Sequence, residues 1–300
     1  MNEIFRLEVP YREPYSLRCL DFGSGSPRVA VVAGLHGTEL NGVHAVNLVA
    51  TALRLAPIRG SVRLFPVVNT FGLDQAEKRW PLDDRDINQA FPGDPRGSAV
   101  QRIAHALMEA TEADLCVDIH SGSALMREIP QVRVPLTGAE ASFARAMGLP
   151  MVWRREGDNL DATGLVGAWR ERGRTALHVV GGRGSTLDLA YSRDIADALL
   201  RLLRHLGLVH MASEAGHVLV DTTRRGVSYH YSDMGGFWVP KVKVGDKVQA
   251  GHLLGSISEV IGGGLLDEVR ADRTGLVVSM RAYPVVHGRE LLVRVAELRT

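Results

Sequence analysis

The sequence predicts an α/β domain with a mixed, mostly parallel sheet, followed by a small all-β domain. Three observations carry this expectation. From about residue 28 to residue 206, short apolar runs alternate with apolar stripes at helical spacing, the pattern of strands joined by crossover helices. After about residue 210 the chain becomes rich in Val and Gly, with short strand-like runs and few helix signals. The composition, 45% hydrophobic and 23% charged over 300 residues, is that of a globular chain long enough for a sizeable core. The expected domains are therefore 1–210 and 211–300.

In order along the chain, Val29 to Ala33 is a buried strand that ends in Gly34. Leu40 to Leu55 carries apolar residues at helical spacing, and Val62 to Val68 is a second strand. Ser98 and Gln101 form a capping box opening a helix through Met108. Leu115 to Ile119 and Thr175 to Val180 are further strands. Ile195, Leu199, Leu202 and Leu206 make a helical stripe that Gly207 stops. In the second domain, Val244 to Val248 reads as strand, tight turn and strand around Gly245-Asp246.

The charge balance excludes one large class. Lys and Arg total 35 against 34 for Asp and Glu, so the broad basic surface of a nucleic-acid binder is not expected. No stretch approaches the ~20 apolar residues of a membrane span, and the first sixteen positions, MNEIFRLEVPYREPYS, lack the apolar segment of a secretory signal. The two cysteines, Cys19 and Cys116, are too few for a disulfide framework. The expectation is a cytoplasmic protein acting on a small molecule, without nucleic acid or membrane as partner and with homo-oligomerisation left open.

Chemistry concentrates at two strand ends. In Gly34-Leu35-His36-Gly37-Thr38-Glu39 a buried strand gives way to a glycine turn and then a helix. Ligands of open α/β sheets bind beyond the carboxyl ends of strands, and an imidazole and a carboxylate three residues apart can share one metal ion. Asp118-Ile119-His120-Ser121-Gly122 ends another apolar strand and offers a third ligand, His120. Catalytic zinc uses three such protein ligands. Asp118 lies two residues back, on the same strand face as His120, where it can accept the other ring N–H. The chain has 11 histidines, so most must be structural; position at a strand end singles out these two. Between them, residues 69–93 form a long polar segment, either a solvated loop or an arginine-bearing part of the site.

Taken together, His36-Gly37-Thr38-Glu39, Asn69, Arg79, Asp86-Ile87-Asn88, Phe91-Pro92-Gly93 and Asp118-Ile119-His120-Ser121-Gly122 resemble the motif series of the succinylglutamate desuccinylase/aspartoacylase family, relatives of the zinc carboxypeptidases. The stretch from Gly235 to Val248 also resembles the family's C-terminal β domain. The resemblance implies a zinc-carboxypeptidase-like α/β/α domain with a barrel-sandwich-like domain after it. It implies one Zn2+ held by His36, Glu39 and His120, and a deacylase that cleaves the amide of a small N-acyl amine or amino acid rather than a peptide bond. Arg79 would polarise the scissile carbonyl, and Asn88 and its neighbour Gln89 would hold the substrate.

Two departures qualify the resemblance. The family's Asn-Arg pair is Asn88-Gln89 here, and glutamine cannot grip a carboxylate with two charged N–H bonds. Either the substrate lacks that carboxylate, or another arginine (Arg85, Arg96 or Arg183) binds it. The family's catalytic glutamate aligns, counting from Gly181-Gly182, with Val179. His178 is the obvious substitute for proton transfer, but neighbours on a strand face opposite ways. If residue 179 points into the pocket, residue 178 points out unless a bulge intervenes. Glu128 and Glu156 are other sources of a carboxylate. The alternatives to hydrolysis are a metal- and ligand-binding protein without turnover, and an acyl-transfer or lyase reaction at the same zinc. The second domain also resembles biotinyl/lipoyl sandwiches, but Val278-Ser279-Met280-Arg281 offers no lysine for a carried cofactor.

Overall fold

A computed structural model describes residues 1–10, 12–155, 164–211 and 215–298. Glu156 lies outside them. Residues 1–210 carry strands β1 (Asn2–Leu7), β2 (Tyr15–Ser24), β3 (Arg28–Ala33), β4 (Gly60–Phe65), β5 (Leu115–Gly122), β6 (Met126–Pro135), β7 (Met151–Arg155) and β8 (Thr175–Arg183). The helices are α1 (Leu40–Leu53), α2 (Thr70–Gln75), α3 (Ala99–Ala110), α4 (Glu140–Met147), α5 (Gly164–Glu171) and α6 (Leu189–His205). The central ladders β4–β3–β5–β8 are parallel, β1 pairs antiparallel with β2 and β2 with β4, and β6 is antiparallel to β8 but parallel to β7.

Strict alternation along β5 shows how the layers form. Leu115, Val117 and Ile119 enter one core with α1, α4 and α6, together with Val179 of β8. Cys116 enters the other, with α3 and α5, and there it meets Trp80 and Ile87 from the segment between α2 and α3. The sheet is thus sandwiched between two helical layers. Trp80 and Ile87 are fully buried, so the polar segment 69–93 is anchored in the core rather than solvated throughout. The expected capping box forms in full at Ser98 and Gln101, a feature that stabilises a helix start by roughly 1 kcal/mol.

Beyond residue 215 come β9 (Val220–Thr223), β10 (Val227–Tyr231), β11 (Gly236–Pro240), β12 (Lys247–Val248), β13 (Leu253–Ser258), β14 (Leu265–Arg270), β15 (Gly275–Arg281), β16 (Val285–Val286) and β17 (Leu291–Ala296). β11, β13, β14 and β16 make a separate four-stranded sheet, and a core including Trp238, Leu254, Val277 and Val293 lies within this part of the chain. The main sheet nevertheless runs on through it, in the order β8-β6-β15-β17-β10. Residues 126–128 of β6 pair with residues 279–281 of β15. One structural expectation fails here. Val244 to Val248 is not a hairpin: the turn is present, but Lys247 and Val248 pair with Leu276 and Gly275 of β15 instead of with the residues before the turn.

Candidate metal centre

Gly34 closes β3 in the left-handed region (φ +62°), and its carbonyl accepts from Val68 and Asn69 N–H. Gly37 follows, where a Cβ would stand 2.0 Å from the Gly72 carbonyl carbon. Only glycine lets the His36–Glu39 loop lie this close to α2. Glu39 occupies the cap position of α1 but makes no cap bond. Its carboxylate is aimed instead at two imidazoles.

His36 Nδ1 lies 3.0 Å from Glu39 Oε1, and His120 Nδ1 lies 2.9 Å from Glu39 Oε2. The ligand atoms of His36, Glu39 and His120 all fall within 4.8 Å of one another, and all three residues are buried. The outer nitrogens are occupied by acids. His120 Nε2 is 2.8 Å from Asp118 Oδ2, and His36 Nε2 is 2.9 Å from Asp86 Oδ1. An imidazole that donates Nε2–H to a carboxylate presents a lone pair at Nδ1. Two such lone pairs therefore face one carboxylate. Glu39 Oε2, despite its short contact, has no partner in hydrogen-bonding geometry. Lone pairs and an ionised carboxylate at this separation repel unless a proton or a cation lies among them, and two nitrogens with a carboxylate suit zinc. The residues fit the ion that the resemblance implies.

The electrostatics of the metal-free groups agree. Burial disfavours the His36 cation, yet the charge of Glu39 and the hydrogen bonds to Asp86 and Glu39 leave its pKa raised. His120 is raised further, burial being outweighed by Asp118 and Glu39. Burial pushes the Glu39 carboxyl up, but the two histidines hold it far below the usual carboxylate range. Asp86 is likewise lowered, to about 2, with His36 and Lys78 overcoming its burial.

The strand register orients β8. Asp118 pairs with His178, Ile119 with Val179, and His120 with Val180. Paired residues share a face, so His178 stands on the face of Asp118 and His120. Val179 is buried in the opposite core. The imidazole rings of His120 and His178 meet edge to face with centroids 5.1 Å apart. The register shifts beyond His120, where Gly122 pairs with Arg183. An extra β8 residue therefore lies among Gly181 and Gly182, and counting back from those glycines crosses the irregularity.

Of the remaining candidates, Arg79, Arg85 and Gln89 line a cleft of about 330 Å³ together with Asp86 and Gln101. The Arg79 guanidinium is half exposed and donates to Asp84 Oδ2 at 3.0 Å. Arg85 donates to Ser98 Oγ at 3.0 Å. Of the three arginines considered for a substrate carboxylate, Arg85 lines this cleft, while Arg183 donates to the Ala124 carbonyl and Arg96 belongs to the turn at Asp94. Asn88 Oδ1 accepts from Leu165 N–H at 3.0 Å, tying the 3-10 turn Ile87–Gln89 to the start of α5. Glu128 belongs elsewhere, beside Arg294 at 2.8 Å. Asp86 is the site residue whose role the sequence did not give. The signal was its place in the Asp86-Ile87-Asn88 motif, but its partner His36 lies 50 residues away.

Comparison with known proteins places this geometry in a family. The model of the succinylglutamate desuccinylase/aspartoacylase catalytic domain matches residues 25–206. A curated relative, the N-alpha-acetyl-L-2,4-diaminobutyric acid deacetylase of Halomonas elongata, is 27% identical over 293 residues, covering 91% of this chain and 82% of its own length. A succinylglutamate desuccinylase/aspartoacylase structure from Rhodobacter sphaeroides superposes with a TM-score of 0.83 at 24% identity, covering 99% of this chain and 95% of that one. A product-bound ectoine utilization protein from Ruegeria pomeroyi gives 0.80 at 20% identity, over 97% and 93%. The chain belongs to the succinylglutamate desuccinylase/aspartoacylase family.

Proposed function

We propose that this chain is a zinc-dependent deacylase that removes a short acyl group from the amine of a small amino acid. The observation that carries the reading is the convergence of His36, Glu39 and His120, with each imidazole backed by its own carboxylate. When bound, zinc would supply Lewis acidity to the scissile carbonyl and acidify a water. Asp86 and Asp118 fix the histidine tautomers and ring orientations. Arg79 balances the charge that develops on the carbonyl oxygen, which requires its guanidinium to turn from Asp84 towards the substrate. His178, beside His120, is assigned the proton transfer to the departing amine. Asn88 and Gln89 contact the polar end of the substrate. Gln89 is neutral, so a substrate without a second carboxylate is favoured, in keeping with the diaminobutyric acid derivative named for the Halomonas elongata relative.

The direct test is release of free amine from N-acetyl-2,4-diaminobutyrate, N-acetylaspartate and N-succinylglutamate by zinc-loaded protein. Zinc-dependent turnover, strongest on the diamino acid, is the expected result. One observation favours a second reading, a family member that binds metal and ligand without hydrolysis. The β8 residue beside His120 is His178, and no glutamate stands at that position on the strand. Zinc binding with no turnover of any of the three substrates would favour it.

A further inference from the structure

Asn41 stands two residues beyond Glu39, in the first turn of α1, and its side chain is wholly buried. Asparagine is a poor helix former, because its amide competes for backbone partners. Here the amide reaches out of the helix instead. Nδ2 donates to Ser121 Oγ at 3.2 Å and to the Arg183 carbonyl at 3.4 Å, while Oδ1 accepts from Asp188 N–H at 2.7 Å. An amide offers two N–H donors and one carbonyl, and all of them are engaged. One side chain thus ties the start of α1 to the residue after His120, to the last residue of β8 and to the cap of α6.

The backbone is shaped to admit it. Gly182 has φ +77°, and a Cβ there would stand 2.5 Å from Asn41 Nδ2, so any side chain at 182 would displace the amide. At Gly42 a Cβ would stand 3.0 Å from Ile119 Cγ2, so α1 lies directly against the end of β5. Backbone bonds lace the same junction: Ser185 N–H donates to the Thr38 carbonyl and Gly184 N–H to the Gly122 carbonyl, both at 2.8 Å.

The three candidate ligands come from two separate pieces of chain. His36 and Glu39 share one turn, whereas His120 ends β5. Glu39 makes no cap bond, so α1 itself does not fix its carboxylate. Ligand geometry has to be held within about 0.5 Å by packing and by hydrogen bonds behind the ligands. Between α1 and β5 that task falls to the Asn41–Ser121 bond, which is buried and therefore strong.

We propose that Asn41 is a positioning residue of the metal centre: through Ser121 it sets the separation of the Glu39 carboxylate and the His120 imidazole. The inference rests on the reading of His36, Glu39 and His120 as metal ligands, and adds to it a residue that acts through others.

The test is zinc affinity by competition with a chelator, together with the visible spectrum of the cobalt-substituted protein, for the full chain, Asn41→Ala, Ser121→Ala and the double variant. Zinc binding about tenfold weaker in Asn41→Ala is expected, the lower end of the effect of losing a group behind a ligand. A smaller loss is expected in Ser121→Ala, with altered cobalt bands in both. The double variant should be no weaker than Asn41→Ala, since both changes cut one link. A side chain that only supports the fold would lower the melting temperature and leave the zinc affinity and cobalt bands of the folded protein unchanged. That result overturns the proposal, as does a double variant in which the two losses add. Should Asn41→Ala fail to fold, Ser121→Ala decides alone: wild-type affinity and bands overturn the proposal, and a loss with altered bands upholds it. A wild-type protein that binds neither zinc nor cobalt removes the metal reading itself and the proposal with it, whereas normal metal binding in both variants removes the proposal only.

Discussion

The metal centre and the cluster of Arg133, Arg155 and Arg294 around Trp153 lie on one face of one sheet, yet they are built in opposite ways. At the ends of β3 and β5, a His and a Glu from one four-residue turn meet a His from the neighbouring strand, and negative charge predominates: Glu39, Asp86 and Asp118 surround two imidazoles. Around Trp153, Arg133, Arg155 and Arg294 gather from β6, β7 and β17, and Glu128 meets Arg294 at 2.8 Å across 166 residues of sequence and Arg133 at 3.8 Å. The first arrangement calls for a cation, whereas the second is ordered by stacking on one indole ring. The contrast teaches that one sheet face can carry both a cluster encoded in short motifs at strand ends and a cluster assembled only by long-range strand pairing.

Breaking the metal centre should have the largest effect. His120→Ala is expected to abolish both zinc binding and turnover, since two ligands cannot hold the ion for catalysis. Activity that survives in this variant would contradict a metal-centred reaction. Next comes His178→Ala, which should slow turnover by about 10²–10⁴-fold with zinc retained, the range of a lost proton-transfer group. An unchanged rate would remove His178 from the chemistry. Asp86→Ala should weaken zinc affinity by about 10–100-fold, the effect of losing a carboxylate behind a ligating histidine. A competition titration against a chelator reads it directly.

The smallest effect concerns pH. In the metal-free protein the His36 and His120 pKa values are raised, so their ion pairs contribute stability that is fully present below about 6.5 and lost as pH rises through the raised values. Glu39 is lowered, so its share is present above about 4.5 and lost as pH falls through its depressed value. Zinc competes with the histidine protons, so its affinity should instead rise with pH through the same range. Thermal melts with and without zinc across this interval should therefore show opposite slopes on the alkaline side. Parallel slopes would mean that protons and metal do not share the Nδ1 atoms.

Legibility in the sequence followed the range over which each feature is encoded. His36, Glu39, Asp118 and His120 sit in short motifs at the ends of apolar strands, where the two-residue strand period alone puts Asp118 on the face of His120. The alternation of strands and helices, and the capping box at Ser98, were equally local. Asp86 was visible as part of a motif but not as the partner of His36, because that contact depends on how Trp80 and Ile87 anchor the intervening segment. The orientation of β8 hung on whether a bulge lies between the metal-facing residue and Gly181-Gly182, and the register shift among those glycines is that irregularity. Val179 faces the core and His178 the metal centre. The expected hairpin at Gly245 failed for a related reason: strand pairing with β15 is a long-range choice that the turn does not determine. The arginine cluster had no sequence signal, because Arg133, Arg155 and Arg294 come from β6, β7 and β17 and Arg224 from the 3-10 turn Arg224–Gly226.

The central claim is that His36, Glu39 and His120 form a working metal site. Elemental mass spectrometry of the purified protein and of His36→Ala tests it most directly. About one zinc per chain, lost in the variant, is the result expected of a three-ligand catalytic site. A wild-type protein that takes up no zinc even after incubation with the metal, or a variant that keeps it, would contradict the account.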